Sequence, residues 1–194
     1  MKVLSEISSI NREQWAELIR QSSTSTWFQT CEAYDFYAAQ PELFTPFVVA
    51  VENTNLRGIC VGYITVERKA WKQFLTRRAI IIGGSALAEE CTNEEVTELM
   101  QAVVSKCKEL GAIYVETRNF NDYSRWREGF INAGFTYEEH NNFHIDTVSF
   151  ASEVGRYNQV VAGLMGKNRV RDIKTSFRDG AVVIDNPTIE QVRE

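Results

Sequence analysis

The sequence predicts an α/β domain built on a mixed sheet, and three observations carry that expectation. Strand-like and helix-like periodicities alternate along the chain in the order β-α-α-β-β-β-α-β-α-β-β. A full capping box, Thr92-Asn93-Glu94-Glu95, opens the longest apolar stripe. Two helical segments run into a closing glycine, Gly111 and Gly134. With 194 residues and 44% hydrophobic residues, the chain is long enough for one sizeable core.

Residues 2–7 read as a short strand. Asn11 then caps a helix, with Gln14 at the capping-box position and Ile10 with Trp15 as a hydrophobic staple. Trp15, Leu18 and Ile19 form its apolar stripe. A Ser/Thr-rich turn over 22–26 leads into Trp27-Phe28-Gln29, and a second helix runs to Ala39 before Pro41. Strands follow over 46–52, 58–67 and 78–83, the first two joined by a hairpin signal at 53–57. Behind Thr92, the residues Val96, Leu99, Met100, Val103, Val104, Cys107 and Leu110 recur at helical spacing. Residues 112–117 read as a buried, central strand, and Asp122 caps a helix to Ala133. Strands over 135–139 and 143–148, helices over 152–164 and 168–177, and a short strand at 181–184 complete the domain. The domain is expected to span 1–185, with 186–194 beginning a linker or a second domain.

Composition narrows the function. No apolar run approaches the 18 or so residues of a membrane span, and the first ten residues mix Lys2, Glu6 and three serines, unlike a signal peptide. A soluble, cytoplasmic setting is expected, with peripheral membrane contact left open. The four cysteines form no CxxC pair, and His140 and His144 stand four apart in a β-like stretch, so no metal site is expected. The net charge of −5 disfavours wholesale nucleic-acid binding. Yet two basic islands stand out: Arg68, Lys69, Lys72, Arg77 and Arg78 against Glu67, and Lys167, Arg169, Arg171, Lys174 and Arg178 against Asp172. Such islands either localise an anionic ligand or form solvated faces.

The candidate site residues follow from this pattern. Alternation along 113–118 places Glu116 and Arg118 on one face of a strand, where they bind a ligand or pair with each other. Lys167, Arg171 and Lys174 stack on one helical face, flanked by Arg169 and Arg178. Gly83-Gly84 after Ile80-Ile81-Ile82 marks a bulge or a close backbone approach. No phosphate-binding loop, dinucleotide fingerprint or nucleophile elbow is present, and the sequence identifies no catalytic residue.

The element order resembles the GNAT acyltransferase fold, and specific segments resemble the first GNAT-like domain of the Fem-type peptidoglycan bridge aminoacyltransferases, the methicillin-resistance-factor type. These segments are Trp27-Phe28-Gln29-Thr30, the strand ending Gly83-Gly84, Val115-Glu116-Thr117-Arg118, Asn132-Ala133-Gly134-Phe135, and the run from Gly166 to Lys174 followed by Gly180. The resemblance implies aminoacyl-tRNA as co-substrate and a nucleotide- or lipid-linked muropeptide as the bound precursor. Arg118, Arg169 and Arg171 match basic positions of that family. A family lysine falls near 35–37, where no basic residue stands here, and the family's second domain implies that activity needs more than this domain. The alternatives are a GNAT-family N-acetyltransferase and a non-catalytic RNA- or partner-binding domain. Acetyl-CoA is disfavoured because residues 83–91 lack the Q/R-x-x-G-x-G/A pyrophosphate loop and carry Glu89 and Glu90 instead.

Overall fold

A computed structural model describes residues 1–66, 76–139, 167–184 and 188. The expected strand at 143–148, the helix at 152–164, Gly166, both histidines and Arg68, Lys69 and Lys72 lie outside the described residues. The chain divides into two compact units, Met1–Asn142 and Phe143–Glu194.

In the first unit, β1 (Lys2–Leu4), β2 (Phe44–Glu52), β3 (Leu56–Thr65), β4 (Arg78–Gly83), β5 (Ala86–Leu87) and β6 (Tyr114–Asn119) form one sheet. Its order is β1-β2-β3-β4-β6, with β5 also pairing β3. Every ladder is antiparallel except β4–β6, which is parallel, so the sheet is mixed as expected.

Alternation along the strands divides the apolar residues between two cores. Phe47, Val49 and Val51 of β2 and Cys60 and Ile64 of β3 face a cluster with Val96, Leu99, Met100, Val103 and Cys107. These last five residues line α3 (Asn93–Glu109). Val48 and Ala50 of β2 and Ile59 and Val61 of β3 face the opposite cluster. There they meet Trp15 and Leu18 of α1 (Arg12–Gln21) and Ala33 and Tyr37 of α2 (Cys31–Ala38).

The helix ends follow the local chemistry. The Asn11 side chain accepts from Glu13 and Gln14 N–H, capping α1. Thr92 and Glu95 close the expected capping box on α3. Gly111 and Gly134 take positive φ, and the amides of Ala112 and Phe135 just beyond them reach back to Cys107 and Phe130 carbonyls, which satisfies the last turns of α3 and α4 (Arg127–Asn132).

Three expectations are corrected. Residues 112–117 were expected to be a buried strand, but β6 spans Tyr114–Asn119 and is partly exposed throughout. Tyr114 and Ile113 are exposed there, although the run has the apolar composition of a core strand. Residues 135–139 form no strand: Phe135 folds onto the core beside Phe130, and the segment leaves the sheet after the turn. Residues 181–184 likewise form no strand, with Val182 and Val183 largely exposed after Gly180 ends the preceding helix.

In the second unit, the described helix α5 spans Lys167–Arg178, close to the expected 168–177. Gly180 closes it at positive φ.

The Thr92 cap sets an expected outcome. Thr92→Ala should lower the unfolding free energy by about 1 kcal/mol, measured by urea denaturation. Burial pushes the Glu95 carboxyl up, but hydrogen bonds from Arg57 and from Thr92 N–H outweigh it and hold the group below its ordinary value. Its contribution is therefore complete above the unfolded carboxylate pKa, about 4.3, and is lost as pH falls through the lower folded value. Glu95→Gln should flatten the fall in melting temperature below pH 5; a slope identical to wild type would refute this linkage.

Candidate functional site

The carboxyl ends of β4 and β6 lie side by side, because a parallel pair brings both strand ends to the same edge. The pairs Ile82↔Arg118 and Gly83↔Asn119 close the ladder. Such an end is where open α/β sheets place ligands.

At this edge the chain departs from a regular strand. Ile80 pairs with Tyr63, and Ala86 pairs with Ile59. Six steps from Ile80 to Ala86 therefore oppose four steps of β3. The surplus is taken up at Gly83 and Gly84, both at positive φ, 81° and 85°. A Cβ on Gly83 would stand 2.5 Å from Thr26 Oγ1, and one on Gly84 would stand 2.5 Å from Tyr123 Oη, so only glycine fits either position.

The bulge turns its carbonyls away from the ladder, and buried side chains take them. Gln29, wholly buried, donates Nε2–H to Ile82 O at 3.1 Å and to Gly84 O at 2.8 Å. Tyr123 donates its hydroxyl to Ser85 O at 2.6 Å, and Thr24 Oγ1 donates to the same oxygen at 3.0 Å. Gln29 is itself fixed: its Oε1 accepts from Thr26 N–H and Oγ1, and its backbone carbonyl accepts from Trp15 Nε1 at 2.6 Å. Burial holds the Tyr123 phenol well above its ordinary range, so it remains a neutral donor. Sequence reasoning passed over Thr24 and Tyr123, and it read Gln29 only within the Trp27–Thr30 segment. A signal for Gln29 was present, since Thr26-Trp27-Phe28-Gln29 repeats the capping-box pattern and the box is formed.

Beside the bulge, a groove of about 880 Å³ follows β6, lined among others by Lys108, Glu116, Arg118, Phe120 and Phe135. Glu116 and Arg118 share one face as expected, and they pair: Arg118 Nε donates to Glu116 Oε1 at 2.6 Å. The Arg118 side chain is 57% exposed and the Glu116 side chain 25%. On α5, Lys167, Arg171, Lys174 and Arg178 line one depression of about 450 Å³ with Val170 and Thr175. Arg169 stands two residues from Arg171 and so on a different side of the helix. Arg171 approaches Asp172 at 4.0 Å.

The entrance to α3 is acidic and internally satisfied. Arg57 donates to Glu95 at 3.1 Å, to a Glu90 carboxylate oxygen at 3.3 Å and to the Glu90 carbonyl. Glu89 accepts from Ser23 N–H at 3.3 Å. The box carboxylate and hydroxyl occupy the Thr92 and Glu95 amides, two of the four open to an anion at this helix start.

All four cysteines are free thiols, and burial pushes Cys60, Cys91 and Cys107 up to about 12. Among the described residues, no three metal-ligating side chains gather, and no helix is long and apolar enough to cross a membrane.

No family model matches the sequence, and no curated protein matches it. Solved structures do. FemX is 10% identical at a TM-score of 0.52, over 68% of this chain and 30% of its own, so the chain spans under a third of that protein. The aminoglycoside N-acetyltransferase AAC(6')-Iy, solved with CoA, is 11% identical at a TM-score of 0.50, over 75% of this chain and 98% of its own. The 6'-N-acetyltransferase AAC(6')-IG from Acinetobacter haemolyticus gives the same identity, score and coverage. The chain has the GNAT-like acyltransferase fold.

Two substitutions test the edge. Gln29→Leu leaves the Ile82 and Gly84 carbonyls without their buried donor, at a cost of about 1–3 kcal/mol for each group left unsatisfied. Arg118→Ala should change stability by less than about 0.5 kcal/mol, because an exposed ion pair contributes little. Chemical denaturation of both variants checks the contrast; a large loss in Arg118→Ala would make the Glu116–Arg118 pair a structural element.

Proposed function

We propose that this chain is an acyl-transfer domain of GNAT type that takes its acyl group from a donor other than CoA, as a peptidoglycan bridge aminoacyltransferase does. The observation that carries this reading is the start of α3, where the box takes up the Thr92 and Glu95 N–H groups, and where Glu89 and Glu90, paired with Arg125 and Arg57, precede the cap. A coenzyme pyrophosphate placed there competes with the Glu95 carboxylate and the Thr92 hydroxyl for these two N–H groups.

In this reading the acceptor is a nucleotide- or lipid-linked muropeptide. Arg118, oriented by Glu116, reaches its phosphates from the end of β6 in the first unit; in the second unit, Lys167, Arg169, Arg171 and Lys174 of α5 form a separate cationic surface. Guanidinium forks suit phosphate oxygens, with lysines as point charges. Aminoacyl-tRNA is the donor, and the domain of 1–185 binds the precursor while transfer uses a second domain.

A second reading is an N-acetyltransferase. The comparisons favour it over the bridge transferase, since both aminoglycoside-modifying enzymes named above match over nearly their whole length. The two readings make opposite predictions for one measurement. Acetyl-CoA at sub-millimolar concentration should leave the melting temperature unchanged, whereas a nucleotide-linked muropeptide should raise it by mass action. The reverse pattern would establish the N-acetyltransferase reading. Arg118→Ala should weaken muropeptide binding about tenfold or more, in keeping with a lost charge-assisted hydrogen bond. Steep salt dependence in binding RNA, with a slope near −0.7 per phosphate contacted, and no muropeptide binding would instead make this an RNA-binding domain.

A further inference from the structure

We propose that α5 is a membrane-surface helix that lies flat on an anionic bilayer, with its apolar stripe in the acyl boundary and its cations among the headgroups. The proposal gives an occupant to the cationic surface of the second unit. It rests on that unit alone, apart from the acyl-transfer reading of the first.

The sequence of α5 sorts onto distinct sides of the helix. At about 100° per residue, Val170, Ile173 and Phe177 fall within about 60° of arc and form one apolar stripe. Lys167 and Lys174 border the stripe on one side, with Arg171 and Arg178 beyond them, and Arg169 borders it on the other. Asn168 and Thr175 lie opposite the stripe, and Asp172 stands about 130° from its centre.

This stripe faces water. The helix buries no residue, and Ile173 and Phe177 are 41% and 56% exposed. The stripes of the first unit are buried instead, through Trp15 and Leu18 on α1 and through Val96, Leu99 and Met100 on α3. A helix of 12 residues is marginal on propensity alone, so α5 calls for a surface against its stripe.

The distribution of charge and apolar groups identifies that surface as lipid. Within α5, five cations stand against the single acid Asp172, and they border the stripe on both sides. Lysine and arginine stems can then bury their methylenes beside the stripe while the charged ends reach lipid phosphates. The whole chain carries −5, so an anionic surface attracts it locally, at this island, and thereby orients it. The apolar character also continues past the helix: after Gly180, Val182 and Val183 are 77% and 75% exposed and Ile184 is 48% exposed. Successive side chains of a non-helical run point different ways. A protein groove covers one side of such a run, whereas an acyl layer covers them all. RNA phosphates would satisfy the cations but leave the stripe in water. Among the described residues no helix is long and apolar enough to cross a membrane, so α5 lies on the bilayer rather than across it.

The test is co-sedimentation of the full chain with vesicles of phosphatidylcholine alone or mixed in equal parts with phosphatidylglycerol. The chain should bind the anionic vesicles and not the neutral ones, and binding should weaken as salt shortens the Debye length. Phe177→Ser should weaken binding about tenfold, in keeping with one large side chain withdrawn from the acyl boundary. Phe177→Trp, which keeps an interfacial ring, should bind at least as well as wild type. Lys174→Glu combined with Arg178→Glu should abolish binding. Because these side chains are exposed, each variant should melt cooperatively at the wild-type temperature. Equal binding to both vesicle types would overturn the proposal, as would wild-type binding by Phe177→Ser. Self-association that Phe177→Ser abolishes, without vesicle binding, would assign the stripe to a second copy of the chain and overturn it. Single-stranded RNA binding without vesicle binding would do the same in favour of a nucleic acid. The vesicles carry no muropeptide, so failure here leaves the reading of the first unit standing.

Discussion

The bulge at Gly83-Gly84 is the constraint on which the rest of the first unit depends. Two residues more than β3 can pair must be accommodated between Ile80 and Ala86, and backbone carbonyls cannot be left buried without partners. Gln29, Tyr123 and Thr24 meet that demand from three different segments. Gln29 comes from the turn before α2 and is tied to α1 through Trp15 Nε1. Tyr123 comes from the turn before α4 and belongs to the core under α3. The bulge thus joins the helical layers on the two faces of the sheet at one point. Because both glycines sit at positive φ against side-chain oxygens, the arrangement tolerates no larger residue.

The same strand end borders a groove. The groove runs along β6, with Arg118 and Phe120 in its wall. Electrostatics then distinguishes the two anion-binding possibilities of such a fold. The start of α3 has two of its amides taken by its own capping box, whereas the end of β6 presents a half-exposed guanidinium. The guanidinium carries a full charge, paired on one side by Glu116, and the helix start offers partial charges that are in part already engaged.

Much of the frame was legible in the sequence because its signals are local. The Thr92–Glu95 box, the Asn11 cap, the closing glycines and the alternation of β2 and β3 each follow from a few neighbouring residues. The bulge was marked by its glycines, but its clamps were not, since Gln29 and Tyr123 stand 55 and 38 residues from the carbonyls they hold. The exposure of β6 was equally hidden: Ile113-Tyr114-Val115 has the composition of a core strand, yet Ile113 and Tyr114 are exposed. Residues 135–139 and 181–184 have strand-like composition without a described ladder to join. Of the candidate site, the Glu116–Arg118 pair and the basic face of α5 could be read from periodicity alone.

The central claim is that Gln29 and Tyr123 act as one clamp on the bulge. A double-mutant cycle of Gln29→Leu and Tyr123→Phe, followed by urea denaturation, measures it directly. If the two side chains hold one distortion of the backbone, their effects will be coupled by about 0.5 kcal/mol or more. Strict additivity, within about 0.3 kcal/mol, would contradict the account and make them two separate hydrogen-bonding groups that happen to share a strand end.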